Sequence, residues 1–223
     1  MTYNQFERAV STPRLNKYLA GCGNDKRKAM RLYKLNIQLS QKLFAVLSVF
    51  EVVLRNSIDR HYIAVMGNDW LVSAIDDTTG YLNSPGCEHS LHSINEVVQN
   101  LSIDYTHDKG IAAMNFGFWT FKFGTKEFPA AGNTLLSIFA ARPPGTSQKD
   151  IFKRMQSINN IRNRIAHHEP ICFNAYGSIS TNYALTKYNQ ILEVLTWLGY
   201  NPKDLLKGLD GVRKQINLIN SIT

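Results

Sequence analysis

Three cysteines in 223 residues, Cys22, Cys87 and Cys172, are too few and too widely spaced for a disulfide framework, and an odd number leaves one over. Reduced thiols are the expectation. The opening Met1-Thr2-Tyr3-Asn4-Gln5-Phe6-Glu7 lacks both the basic start and the apolar run of a signal peptide. The most apolar stretch, Phe44 to Leu54, is short for a membrane span and contains Glu51. These absences predict a soluble cytoplasmic protein with no membrane partner. Cys87-Glu88-His89 and His92 have no second ligand pair at matching spacing, so neither a metal nor another cofactor is expected. Serine and cysteine hydrolases are disfavoured by the lack of a nucleophile elbow or of a cysteine paired with a base. Repeats and low-complexity tracts are absent as well.

What is present is helical patterning and positive charge. A chain of this length with 44% hydrophobic residues can bury a core, and it is read as one domain spanning residues 1–223. Lys plus Arg total 25 against 17 Asp plus Glu, giving a net charge of +8 that favours acidic partners such as nucleic acid. Ser11-Thr12-Pro13 starts a short helix that Gly21 and Gly23 close. From Asp25 to Val65, Leu39, Leu43, Val46, Leu47, Phe50, Val53, Leu54, Ile58 and Tyr62 keep a near-heptad rhythm, which predicts one long helix or two abutting ones. Its start, Lys26, Arg27, Lys28, Arg31 and Lys34, is either a solvated face or a phosphate-contacting patch. Further on, Glu51, Arg55 and Asp59 lie four apart and read as a ladder of surface ion pairs.

Between Gly67 and Gly110 turn signals surround one plausible helix, Ser90 to Leu101. Ile111 to Gly124 carries so many rings that a core helix is favoured over a base-stacking platform. A short apolar helix over Thr134–Ala141, an amphipathic one over Tyr183–Leu198 and a small helical tail from Pro202 complete an all-α reading.

The most informative segment is Asn159-Asn-Ile-Arg-Asn-Arg-Ile-Ala-His-His-Glu-Pro170. It ends a helix that Ser147 and Asp150 open and Pro170 stops, with Ile151, Met155, Ile158, Ile161 and Ile165 on the apolar stripe. Arg162 falls in that stripe, where burial calls for a carboxylate partner or a ligand. His167 lies roughly 140° further round, on the face of Asn163. Cutting RNA by attack of its own 2′-hydroxyl needs a proton carrier active near neutrality and a fixed cation on the phosphate. Imidazole titrates near pH 6.5 when unperturbed, and guanidinium stays charged and grips two oxygens, so His167 and Arg162 are the candidate catalytic residues. Asn163, Arg164 and His168 are candidates for holding the substrate or the imidazole. The competing explanation is a hydrogen-bonded cluster that caps the helix C-terminus.

Arg162-Asn-Arg-Ile-Ala-His167 resembles the R-x-x-x-x-H motif of the HEPN superfamily, and the longer run with Asn174 beyond it resembles that superfamily's Abi-like abortive-infection branch. Phe50-Glu51-Val-Val-Leu-Arg55-Asn56 is similar to the branch's early E-x-x-x-R-N helix, and Asn115-Phe-Gly-Phe-Trp119 to its central F-G-x-W segment. The resemblance implies an HEPN-like helical bundle with additional helices and an elaborated middle loop region. It also implies a homodimer and a metal-independent endoribonuclease used in antiphage defence or as a toxin, with a neutralising protein or RNA as a further partner. Glu51, Arg55 and Asn174 join the candidate site as orienting or substrate-binding residues on that ground. A binding module that holds RNA or a nucleotide without cutting is the alternative.

Overall fold

Local capping signals set where the helices begin. In the computed structural model, which describes residues 1–222, the Thr2 hydroxyl accepts from the Gln5 backbone N–H while the Gln5 side chain accepts from Thr2 N–H at 2.8 Å. This reciprocal cap opens α1 (Tyr3–Val10), a helix the patterning did not single out. Pro13 lies in the first turn of α2 (Thr12–Gly21). The Asp25 carboxylate then accepts from the N–H groups of Arg27 and Lys28 at 2.9 and 3.0 Å and opens α3 (Lys26–Met66). The long heptad run is therefore one unbroken helix of 41 residues.

The middle of the chain is a series of short elements: α4 (Trp70–Ser73), α5 (Glu88–Leu101), α6 (His107–Ala113), α7 (Phe116–Phe121) and α8 (Glu127–Ala130). The aromatic segment is not one helix. It breaks at Met114–Asn115, where the Asn115 side chain caps a new start by accepting from Phe118 N–H at 3.0 Å. The apolar segment at Thr134–Ala141 forms only a 3₁₀ turn, Leu135–Ile138. Ser147 and Asp150 bond reciprocally, hydroxyl to carboxylate at 2.6 Å and backbone N–H to carboxylate at 2.9 Å, and open α9 (Gln148–Ala166). α10 (Asn182–Trp197), α11 (Pro202–Leu205) and α12 (Val212–Asn220) follow. No strand occurs among the described residues, whose one extended pairing is the isolated bridge between Phe173 and Ile179. The chain is all-α.

Its contacts gather into two compact units. The first comprises Met1–Val49, Asn160–Leu192 and the segment from Lys203 onward, and its buried side chains include Leu15, Tyr18, Leu39, Leu43, Ile161, Tyr188 and Ile216. The second comprises Phe50–Asn159 and Glu193–Pro202, with Phe50, Tyr62, Trp70, Phe116, Trp119 and Phe139 buried. Phe116, Phe118, Trp119 and Phe123 are interior and belong to the core, whereas Phe121 of the same segment is 42% exposed. α3 is the one helix among the described residues long and apolar enough to cross a membrane. Of its heptad residues from Leu39 to Tyr62 all are buried except Val53, which is half-buried.

Asp59, the last member of the expected ladder, finds its partners off the helix. It accepts from Trp70 Nε1 at 2.8 Å and bonds His107 Nε2 at 2.7 Å. The second unit also buries a charge pair, with Lys122 Nζ 3.0 Å from Glu127 Oε2 and 4.2 Å above the Phe118 ring. Ser90 donates to the other Glu127 oxygen at 2.5 Å.

Candidate functional site

The apolar stripe of α9 does what its spacing demands: Ile151, Met155, Ile158 and Ile161 are fully buried and Ile165 nearly so. Those side chains fix how the helix end is presented. Pro170 does not terminate the helix. His168 N–H bonds the Ile165 carbonyl at 3.0 Å and Glu169 N–H bonds the Arg164 carbonyl at 2.8 Å, while His168 adopts φ 55°. This is a Schellman ending, with histidine at the left-handed position that glycine usually fills. Histidine is among the non-glycine residues that tolerate that conformation best. The carbonyl of His168 accepts from Arg14 Nη1 of α2 at 3.1 Å.

Arg162 is half-buried, and its Nη1 donates to Asn163 Oδ1 at 3.4 Å while its Nε is buried without a hydrogen-bond partner. A donor left unmade in the interior is costly, so the residue is held there at the expense of stability. Beside it opens a groove of about 340 Å³, walled by Ile37, Ser40, Gln41 and Phe44 of α3 and by Arg162, Ile165, Ala166 and His168. The α3 residues are three and four apart and so share one face. Phe44 is 46% exposed.

His168, rather than His167, thus shares this groove with Arg162. His167 caps the helix, its backbone N–H bonded to the Asn163 carbonyl at 2.9 Å, and its side chain is exposed. Arg164 binds its own surroundings: Nη2 donates to the Pro170 carbonyl at 2.7 Å, Nε stands 3.2 Å from Glu169 Oε2, and the guanidinium lies 5.0 Å from the Tyr183 ring centre. The chain beyond is tied to α3 by buried Asn36, whose side-chain oxygen accepts from Ile171 N–H at 2.9 Å. Asn174 is spent on a turn, accepting from the N–H groups of Tyr176 and Ser178 at 3.0 Å each. Glu51 and Arg55 belong to the second unit, where both are half-buried and Arg55 Nε is enclosed without a hydrogen bond.

Charge is divided unevenly between the units. The first holds sixteen Lys and Arg against five Asp and Glu, a net of +11, and the second nine against twelve, a net of −3. The helix end with Arg162, Asn163, Arg164, His167 and His168 lies wholly in the positive unit. Arg14, Phe44, Lys17 and Tyr176 were not singled out by sequence reasoning. For Tyr176 a signal existed, because an aromatic residue inside Asn174-Ala-Tyr-Gly177 is a ring carried on a turn. No family model, curated protein or solved structure matches this chain.

Proposed function

We propose that the protein is a metal-independent endoribonuclease of the HEPN type, acting in abortive-infection defence or as a toxin. The observation that carries this reading is Arg162, a guanidinium held half-buried beside a groove with its Nε unpartnered, in the same helix end as two histidines. A phosphate presented in the groove would pair with the guanidinium and neutralise its charge. In the proposed reaction an imidazole takes the 2′-hydroxyl proton as the 2′-oxygen attacks phosphorus. The 5′-oxygen then leaves with a proton, and Arg162 stabilises the charge developing on the phosphate oxygens. The net charge of +11 on this unit supports an RNA substrate.

His167 is the proposed proton carrier on the strength of the motif. It is exposed and does not line the groove with Arg162, which supports a homodimer in which two copies bring both groups to one phosphate. The same observation favours the second reading, an RNA-binding module without cleavage. Incubation of purified protein with total RNA in EDTA separates the two. Products ending in a 2′,3′-cyclic or 3′-phosphate, lost in His167→Ala, are expected. Intact RNA at every protein concentration would eliminate cleavage in favour of binding.

A further inference from the structure

Away from the Arg162 groove, the first unit contains a second opening of about 560 Å³ between α2 and the turn that follows the signature. Lys17, Ala20 and Gly21 form one wall and Tyr176, Gly177 and Ser178 the other. Tyr176 is 93% exposed, a bare ring on a turn that is anything but loose. Gly177 N–H bonds the Asn174 carbonyl at 3.2 Å, Asn174 N–H bonds the Ser178 carbonyl at 3.0 Å, and the Asn174 side chain holds two more N–H groups. Gly177, at φ 82°, takes the left-handed conformation this turn needs.

The opposite wall is built with equal care. A Cβ on Gly21 would stand 2.8 Å from the Phe173 ring, so only glycine allows that ring to close against α2. Phe173 packs edge-on to Tyr18 at 5.2 Å and lies 5.1 Å below the ammonium of exposed Lys17, a cation–π contact that favours this position for the cation. Lys17 is three residues from Arg14, on the same face of α2, and Arg14 bonds the His168 carbonyl. One helix face therefore connects this opening to the helix end that carries Arg162.

We infer that the Tyr176/Lys17 opening is a subsite for single-stranded RNA, with a base stacked on Tyr176 and the adjoining phosphate at Lys17. An exposed ring across one opening from a cation matches a nucleotide's two chemistries, a π-face and a phosphate. An apolar peptide would leave the Lys17 charge without a counterion, and a simple anion would have no use for the ring. The inference rests on the reading of this protein as one that binds RNA, and it adds where the strand is gripped outside the Arg162 groove.

The test is fluorescence anisotropy with a labelled oligouridylate of about a dozen nucleotides carrying 2′-O-methyl sugars, which no 2′-hydroxyl attack can cut. Tyr176→Ala should weaken binding about tenfold, and Tyr176→Phe by less than about twofold, because stacking needs the ring and not the hydroxyl. Lys17→Ala should flatten the log–log salt dependence by about 0.7. A blunt RNA duplex of equal length should not sense Tyr176→Ala. Wild-type affinity in Tyr176→Ala, an equal loss with duplex, or no binding by the wild-type chain at low salt would each overturn the subsite. The first outcome would leave the ring to a protein partner. A chain that cuts nothing but binds with this dependence on Tyr176 overturns the nuclease reading alone. One that cuts RNA with Tyr176→Ala binding unchanged overturns the subsite alone.

Discussion

Arg14 Nη1 reaches the carbonyl oxygen of His168 at 3.1 Å, so a guanidinium of α2 secures the one residue of the signature that adopts left-handed backbone. Strain at φ 55° and the bond that holds it are separable by substitution. His168→Gly should raise stability by about 1 kcal/mol, a gain of roughly 2–4 °C in Tm, because glycine adopts that conformation without a Cβ clash. Differential scanning calorimetry reads this directly. If the imidazole of His168 serves only the helix end, RNA cleavage in the same variant stays at the wild-type rate, and a loss of cleavage assigns it to the chemistry.

Arg162→Met is expected to fold with stability within about 1–2 kcal/mol of wild type, since it removes a buried donor that has no partner and fills the stripe with apolar volume. Cleavage should be abolished. A thermal melt paired with an RNA assay checks both arms. A variant that unfolds would show the guanidinium to be structural.

Lys122 and Glu127 give a contrasting prediction. Glu127→Ala strands a fully buried ammonium and should cost about 3–5 kcal/mol in urea denaturation. The double variant Lys122→Met/Glu127→Gln removes both charges and should recover most of that loss. A double variant no more stable than Glu127→Ala would show that the pair contributes more than charge compensation.

The helix-opening carboxylates predict acid sensitivity. Asp150 is held below the ordinary aspartate range, first by the Ser147 hydroxyl and then by its backbone N–H, and Asp25 by the backbone N–H groups of Lys28 and Arg27. A carboxyl whose folded pKa is depressed stabilises the fold above its unfolded value, near about 3.9. That contribution disappears as pH falls through the lower folded value. Tm should accordingly be flat from neutrality to about pH 5 and decline below pH 4. Asp150→Asn should lower the plateau and soften the decline. An unchanged acid limb in the variant would contradict the assignment.

The long helices were legible because their spacing and caps agree. The Leu39 to Tyr62 rhythm gave α3, and Ser147 with Asp150 gave the start of α9. The aromatic run was misread as one helix because apolar spacing continues across Asn115, whose cap breaks it locally. Asp59 was misread because i,i+4 spacing describes a helix in isolation, and its partners Trp70 and His107 come from elsewhere in the chain. At the site, the position of Arg162 on the stripe was readable, but the straight-helix angle to His167 was not sufficient. The Schellman turn ends the helix before Pro170 and sends His168 into the groove instead. Nothing in the local pattern announces a left-handed histidine.

The first unit is stitched from three separated pieces of chain, and that has a consequence for its birth on the ribosome. The piece ending at Val49 emerges before the piece starting at Asn160 has been translated. At ~5–20 residues per second, the interval is on the order of ten seconds. During it, Asn36 lacks Ile171 and the apolar groove wall of Ile37 and Phe44 lacks Ile165. Holding chaperones would be drawn to that nascent face, and the Arg162 and His167 helix end cannot assemble until the piece from Asn160 has been made. The order in which its parts are made thus decides when the candidate site can form.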